Sequence, residues 1–599
     1  MAIIQSLRHI GEDVSFYNID YFRYSHDQVK QYFTDNQFDV VGISAVVSTA
    51  YTYTRYLTAL IRAVSPQTTI IVGGNLAASS EILLRKCEVD FCVVGDGELI
   101  IRDLIRVLYE RPLNYQRLKA TKGICFIDDN DQFCFTGYGA KYSAEEIEWP
   151  DYNILEADGS LSYFISDQID ERFYEPNRPP GHGVRAAIVI MTKGCVARCT
   201  FCHRWEKGYR ARPIDQIVQH IKFLKEKHNV GFINVNDENF GADRELAWEL
   251  ASRLGELGVT WRCHGVRART VTRESLLHWK ANGCVSVEYG TESGSQRILN
   301  IMEKNTTVEE NSNALKWAGE AELGTVIQLV LGMPGETDET VRETIEFLKR
   351  ASGSLRWWKD KAPSEITSIN YAQALPGTPL YEYAREHGFI GTTLDDEEKY
   401  LIRISDTDAY AEDHFVNYTG LPLLRVLMWR PWILAELDVH NLSERERPRL
   451  SLLKVVQYYV RLVGVRLEKG WGQGNAFGRL MRRILVGKQR PADWGKRYDH
   501  ISDSGYFNIS KGFKFAPLLL NPLTRRLFFP LLAVAMAINK GGSPLGTLRL
   551  IGEYFVWSIT GARRRGPEVP SLSLRKTVKI VAAKRPAGID PMTPLRQGR

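Results

Sequence analysis

No cysteine follows Cys284. All nine lie before residue 285, so the C-terminal half cannot ligate a metal by thiolate. Nine thiols in 599 residues are also too few for a secreted disulfide scaffold of this length. Long apolar runs are missing: nowhere do about 18 apolar residues follow one another, and no spanning helix is expected. The opening MAIIQSLRHIGEDVSFYNID has neither a basic start nor a long apolar core, so no signal peptide is read. A reducing cytoplasm fits these absences. Excess charge is confined to one place. The formal charge is +6, yet Gly561 to Arg599 holds ten Lys/Arg against two Asp/Glu, so the rest of the chain is slightly acidic. A basic tail does not argue for a nucleic-acid enzyme, and no nucleic-acid partner is expected. What remains is an ordinary globular composition, 44% hydrophobic and 25% charged, with room for about three or four domains.

The stretch Lys193 to His203 (KGCVARCTFCH) sets Cys195, Cys199 and Cys202 at C-x3-C-x2-C spacing. The apolar run Ala186 to Met191 leads into it as a buried strand, and Gly194 lets the chain turn. The thiols are therefore expected on a loop at a strand C-terminus, where α/β folds place their chemistry. Three thiolates can hold three corners of a cubane iron–sulfur cluster, leaving one iron open. Zinc with His203 as fourth ligand is the alternative, although the spacing is tighter than paired zinc knuckles use. This loop, with Phe201 just before the last cysteine, resembles that of the radical S-adenosylmethionine (SAM) enzymes. The resemblance implies a 4Fe-4S cluster on the three cysteines and SAM chelated by the open iron. It also implies reductive cleavage of SAM to a 5'-deoxyadenosyl radical.

Residues 1–112 alternate strand-like and helix-like segments. Val14 to Ile19, Phe38 to Ala45, Thr69 to Gly74 and Phe91 to Glu98 look like strands, with a helix from about Tyr51 to Val64. Such alternation implies a doubly wound, flavodoxin-like parallel sheet. The phrases VGISA, IIVGG and VVGDGE resemble the cobalamin-binding domain that precedes many radical SAM enzymes. That likeness assigns Ser44, Gly73, Gly74, Gly95, Gly97 and Glu98 to cobalamin. The D-x-H-x-x-G motif of some cobalamin proteins is absent, and relative to the family the first strand and its loop are missing.

Residues 113–185 read as a connector. A small hairpin surrounds the polar turn Asp128 to Asp131, and an extended linker containing His182 runs from Pro176 to Gly183. Residues 186–390 then carry five more strand-like segments, each ending in polar or glycine-rich text, with amphipathic stretches such as Ile214 to Lys227 and Asp338 to Arg350 between them. The expected architecture is a partial (β/α)6 barrel, open on one side. Its strand ends resemble radical SAM sites in order. Asp237, Glu238 and Asn239 match the contacts to the SAM amino group. Gly290, Glu292 and Ser293 match the ribose and carboxylate segment, and Gly332 matches the turn near the adenine. Leu375 to Tyr381 (LPGTPLY) matches the close of the sixth unit, and Gln373 stands at the strand end just before it. Arg267, Tyr289 and Tyr371 are catalytic candidates from their positions near strand ends, with Arg269 and Asn370 in reserve.

Residues 391–562 look mostly helical and 563–599 form the basic tail. Leu450 to Leu467 is amphipathic. The apolar stretch Leu527 to Ile538 is too short to span a bilayer. A buried core helix is favoured there, with a wall around an apolar substrate or peripheral membrane contact as alternatives. The family resemblance implies a cobalamin-dependent radical SAM methyltransferase acting on a carbon centre of a small-molecule substrate. An external electron donor such as flavodoxin or ferredoxin is implied as well. The rivals are oxidative cyclisation, as in the anaerobic cyclase of bacteriochlorophyll synthesis, and a non-catalytic iron–sulfur protein.

Overall fold

The computed structural model describes residues 1–110, 112–167, 184–203, 208–355, 366–407, 412, 415–441, 451–456, 459 and 516–560. The linker at 176–183 with His182, most of the Leu450 to Leu467 stretch and the basic tail lie outside these residues.

Two sheets organise the chain. The first joins β1 (Val40–Ser44), β2 (Thr69–Gly73), β3 (Phe91–Val93), β4 (Ile124–Ile127) and β5 (Phe133–Phe135) in that spatial order. β1 to β3 are parallel, and the β4–β5 hairpin adds antiparallel to β3. β2 is apolar and buried along its middle, as a central parallel strand must be. The helix Tyr51–Val64 lays Leu57 and Ile61 on one face of this sheet, and Gly97–Leu108 buries Ile100, Ile101, Leu104 and Ile105. The polar turn after β4 is held by its own chemistry. Asp128 accepts the amides of Asn130 and Gln132 at 3.1 and 3.0 Å and pairs with Lys119 at 3.0 Å.

The strand expected at Val14 to Ile19 does not form. The segment has no ladder partner among the described residues, and a strand exists only by pairing its backbone groups. Tyr17 instead stacks on Tyr32 and Tyr24, at 3.8 and 4.9 Å between ring centres, and a short helix begins at Ile19.

The second sheet has seven strands: β6 (Ile165–Ser166), β7 (Arg185–Val189), β10 (Val230–Val235), β11 (Thr260–Val266), β12 (Cys284–Glu292), β13 (Ile327–Leu331) and β14 (Thr367–Tyr371). Their order is β14-β13-β12-β11-β10-β7-β6. The six from β7 to β14 are parallel and form the expected partial barrel, while β6 closes one edge antiparallel. A separate clip pairs β8 (Thr192–Lys193) with β9 (Arg210–Ala211). Local text explains the barrel helices. In Asp338–Ser352 the Thr337 hydroxyl caps the amide of Thr340, acids open the first turn and Lys349 and Arg350 close the last. In Pro379–Glu386 the Thr378 hydroxyl accepts the Tyr381 amide, and Pro379 sits where a missing N–H costs nothing.

The strand period of two splits the barrel residues between two faces. Ile233, Val235, Trp261, Cys263, Val287, Tyr289, Leu329, Ile369 and Tyr371 pack into one apolar core with the outer helices. The alternate positions Asn234, Arg262, His264, Glu288 and Gln328 turn to the lumen. A second core is shared between the sheets: Ala45, Leu76, Ala77 and Ala78 meet Ile301, Met302, Met333, Ala372 and Ala374. The helix Phe528–Lys540 buries Phe528, Leu532, Ala533 and Ala537 in the barrel-side core, the favoured reading of that stretch. Among the described residues no helix is long and apolar enough to cross a membrane.

Candidate active site at the facing strand ends

The cysteine loop is tied down at both ends and in its middle. Gly194 has φ +83°, and a Cβ there would strike the Gly208 carbonyl, so the loop can leave β8 only through glycine. Thr200 donates its amide to Met302 O at 2.8 Å and its hydroxyl to Ile301 O at 3.2 Å. Its carbonyl accepts the Leu380 amide at 2.9 Å. Phe201 packs into the core shared by the two sheets.

The three thiols share one electrostatic neighbourhood. Cys202 opens to solvent, yet the protein around it desolvates the thiolate, and Cys199 and Cys195 add repulsion; together they push its thiol to about 12. Burial likewise raises Cys199, and the cations Lys304 and Arg267 oppose it. Among the described residues, no group of three or more His, Cys, Asp or Glu converges as ligands of one metal ion do. His203 turns instead to the first sheet, with Nε2 3.3 Å from Ser48 Oγ, and burial holds its ring neutral by lowering it to about 4.

The barrel strand ends divide the expected SAM contacts. Glu292, at φ +59°, is held 2.7 Å from Lys304 Nζ, and a Cβ at Gly290 would fall on this pair. Burial alone would depress Lys304, but Glu292 and Cys199 outweigh it and the ammonium is raised. Arg267 donates to the backbone carbonyls of Lys304 and Asn305 and so backs the same corner. Glu238 is exposed at the end of β10, whereas Asn239 is fully buried and neither polar atom of its amide finds a partner among the described residues. Gln373, after β14, also keeps a buried Nε2 without a partner among the described residues. Gly332, at φ +84°, abuts Phe415 and donates its amide to Glu336 at 2.5 Å.

Four expected residues are placed elsewhere. Asp237 points back along the sheet, accepting the Met191 amide and the Thr192 hydroxyl, both at 2.7 Å; it fixes the run into the cysteine loop. Ser293 accepts the Ser295 amide at 3.1 Å and is buried beside Thr344. Tyr289 and Tyr371 lie on the helix-facing side of the sheet, and the Tyr371 hydroxyl donates to Leu427 O at 3.1 Å. Neither phenol reaches the lumen, because strand parity sends it outward. Sequence reading missed the lumen group. There His264 Nδ1 lies 3.1 Å and Gln328 Nε2 3.3 Å from Glu288, and Arg262 donates to Asn234 at 2.5 Å. The alternation Arg262-x-His264 within an apolar strand was the available signal.

On the first sheet, the turn after β2 brings Gly74, at φ +86°, so close to Ala45 that a Cβ would strike its carbonyl. Gly95 has φ +94° in the turn after β3. Ser44 is exposed at the end of edge strand β1, followed by exposed Val46 and Val47. These strand ends present bare backbone and exposed apolar side chains at the carboxyl ends of parallel strands, the usual ligand position of such a sheet.

Residues 1–105 match the B12-binding domain model, and residues 189–348 match that of the radical SAM superfamily. The chain carries a B12-binding domain and a radical SAM domain. The chain also aligns with named relatives. The anaerobic magnesium-protoporphyrin IX monomethyl ester cyclase of Cereibacter sphaeroides is 26% identical over 420 residues, which is 68% of this chain and 64% of that protein. The chain thus spans a little under two thirds of that relative. Cytidylyl-2-hydroxyethylphosphonate methyltransferase of Streptomyces wedmorensis is 24% identical over 396 residues, 61% of this chain and 69% of its own. The solved cobalamin-dependent S-adenosylmethionine radical enzyme OxsB shares the fold with a TM-score of 0.50 at 16% identity, covering 89% of this chain and 77% of that one. The residues present fit the groups that these two domains use. The three soft thiolates suit a cubane, the orphaned amides of Asn239 and Gln373 suit a polar nucleotide, and the Gly74 turn suits a broad apolar-faced ring.

Proposed function

We propose that this protein is a cobalamin-dependent radical SAM methyltransferase that acts on a carbon centre of a small molecule. The observation that carries the reading is a juxtaposition: His203, beside the last cysteine, lies 3.3 Å from Ser48 after β1, and Lys193, before the first cysteine, lies 2.9 Å from Glu98 after β3. Cys195, Cys199 and Cys202 hold the cluster in this reading. Glu238, Asn239, Gly290, Glu292, Gly332 and Gln373 line the SAM position, and Ser44, Gly73, Gly74, Gly95 and Gly97 line the corrin. When bound, the cluster and SAM supply a carbon radical able to take hydrogen from an unactivated carbon, and cobalamin supplies the methyl group. The protein's own residues orient and enclose. Lys304 holds Glu292 at the edge of the cysteine loop, while Arg267 fixes the Lys304 backbone. The Arg262, His264, Glu288 and Gln328 set gives the lumen hydrogen-bonding and charged groups, which favours a substrate bearing polar groups over a wholly apolar one. Electrons come from an external donor of the flavodoxin or ferredoxin type.

The test is anaerobic reconstitution with iron, sulfide and hydroxocobalamin, followed by a reductive assay with methyl-labelled SAM. Cleavage to 5'-deoxyadenosine supports the radical reading, and its absence returns the chain to a non-catalytic iron–sulfur protein. Label found in the product distinguishes methyl transfer from oxidative ring closure, the second reading that the cyclase relative favours.

A further inference from the structure

The two facing loops are joined by charge. Asp96 and Glu98 occupy the turn after β3 and the start of the next helix. Lys193 and Arg210 sit on the β8–β9 clip that brackets the cysteine loop. Lys193 Nζ lies 2.9 Å from Glu98 Oε1 and 3.4 Å from Asp96 Oδ1. Arg210 Nη2 lies 2.5 Å from Asp96 Oδ2, and its Nη1 donates to Tyr142 O at 2.7 Å. The pairs are sheltered, with Asp96 and Glu98 only 12% and 10% exposed, so solvent screens them less than surface pairs. The same charges reach Glu238 at the end of β10. Although Glu238 opens to solvent, the protein packed around it desolvates and raises its carboxyl, Asp96 adds to the rise, and Lys193, Lys141 and Arg210 oppose it. One cluster of charges therefore joins the turn after β3 to the base of the cysteine loop, and its field reaches Glu238 at the end of β10.

We propose that Asp96, through Arg210 and Lys193, is a positioning residue that couples cobalamin binding to SAM binding. The inference rests on the reading above and adds a link between its two cofactor sites. A ligand seated on the Gly95 turn moves or fixes Asp96, and the two-strand clip carries that change through Arg210 and Lys193 to the cysteine loop. Coupling of this kind is reciprocal: each ligand tightens the other by the same factor.

The experiment uses the full chain with its cluster reconstituted. Hydroxocobalamin is titrated by visible absorbance with and without SAM, and SAM is titrated by equilibrium dialysis with and without hydroxocobalamin. The wild type is expected to show about a tenfold gain in each direction. In Asp96→Asn and in Arg210→Gln the factor falls to about one, and the double variant falls no further. A merely structural role would weaken both ligands in parallel and leave the factor intact, which would overturn the proposal. Arg210→Lys keeps the charge without the fork and retains part of the factor; it serves if Arg210→Gln does not fold. A wild type that binds both ligands with no mutual effect defeats this inference alone. A wild type that binds neither defeats the functional reading instead.

Discussion

The carboxyl ends of the parallel strands of the two sheets meet, through Lys193 with Glu98 and His203 with Ser48, but they offer a ligand different means. The first sheet presents bare backbone, with Gly74 and Gly95 at positive φ and exposed Val46 and Val47. It can hold a ligand by shape, without a bond to a side chain. The barrel sheet presents thiols, carboxylates and cations, namely Cys195, Cys199 and Cys202 with Glu238, Glu292, Lys304 and Arg267 around them. It can hold a ligand by bonds and charge. The difference teaches where each side is fragile: a single methyl group is enough to block the first, and removal of donor atoms is needed to empty the second.

The sharpest way to break this contrast is to strip the donors. Replacing Cys195, Cys199 and Cys202 with alanine should abolish the brown iron–sulfur absorbance and SAM cleavage completely while hydroxocobalamin still binds. Retention of colour and cleavage would end the assignment. The converse is Gly74→Val. A β-branched residue at φ +86° costs about 1–3 kcal/mol in strain, and its side chain must also displace the Ala45 backbone. Hydroxocobalamin affinity should drop at least about tenfold, with iron content unchanged; equal loss of both cofactors would show that the two sides are not separable.

A third variant sharpens the account of the barrel side. Burial raises the Asp237 carboxyl from 3.8 to about 6, even though its hydrogen bonds from Met191 and Thr192 pull the other way. A proton is thus held more tightly in the folded state. The contribution to stability is present below pH 4 and is lost as pH climbs to about 6, about 3 kcal/mol in all. Asp237→Asn should flatten thermal stability between pH 4 and 6; an unchanged slope would contradict the burial. The smallest effect is expected at Tyr371→Phe, which loses one hydrogen bond to Leu427 O, worth about 1 kcal/mol. Its thermal midpoint should fall slightly and SAM cleavage should persist. A large loss of cleavage would mean that the phenol faces the lumen after all.

The features legible in sequence are those written in contiguous residues. The C-x3-C-x2-C loop, the glycine turns after β2 and β3 and the order of six barrel strands all follow from local spacing and period. The errors have a common origin. Val14 to Ile19 has strand-like composition, but pairing is a property of two segments. Tyr289 and Tyr371 sit near strand ends, but parity decides which face they occupy. Asp237 belongs to a SAM-like phrase, but its neighbours Met191 and Thr192 are 46 and 45 residues away.

The chain's residues alone therefore determined which chemistry is available: three thiols on one turn, glycines where a ligand must approach backbone, and alternating strands and helices to carry both. Tertiary structure decided which polar groups meet. Glu288 and His264, Glu292 and Lys304, and Asp96 and Arg210 come from separate segments, and their pairing depends on how sheets pack and which way each side chain points. Local spacing carries no record of that, because a carboxylate and a cation attract over a few ångströms of space, whatever length of chain lies between them.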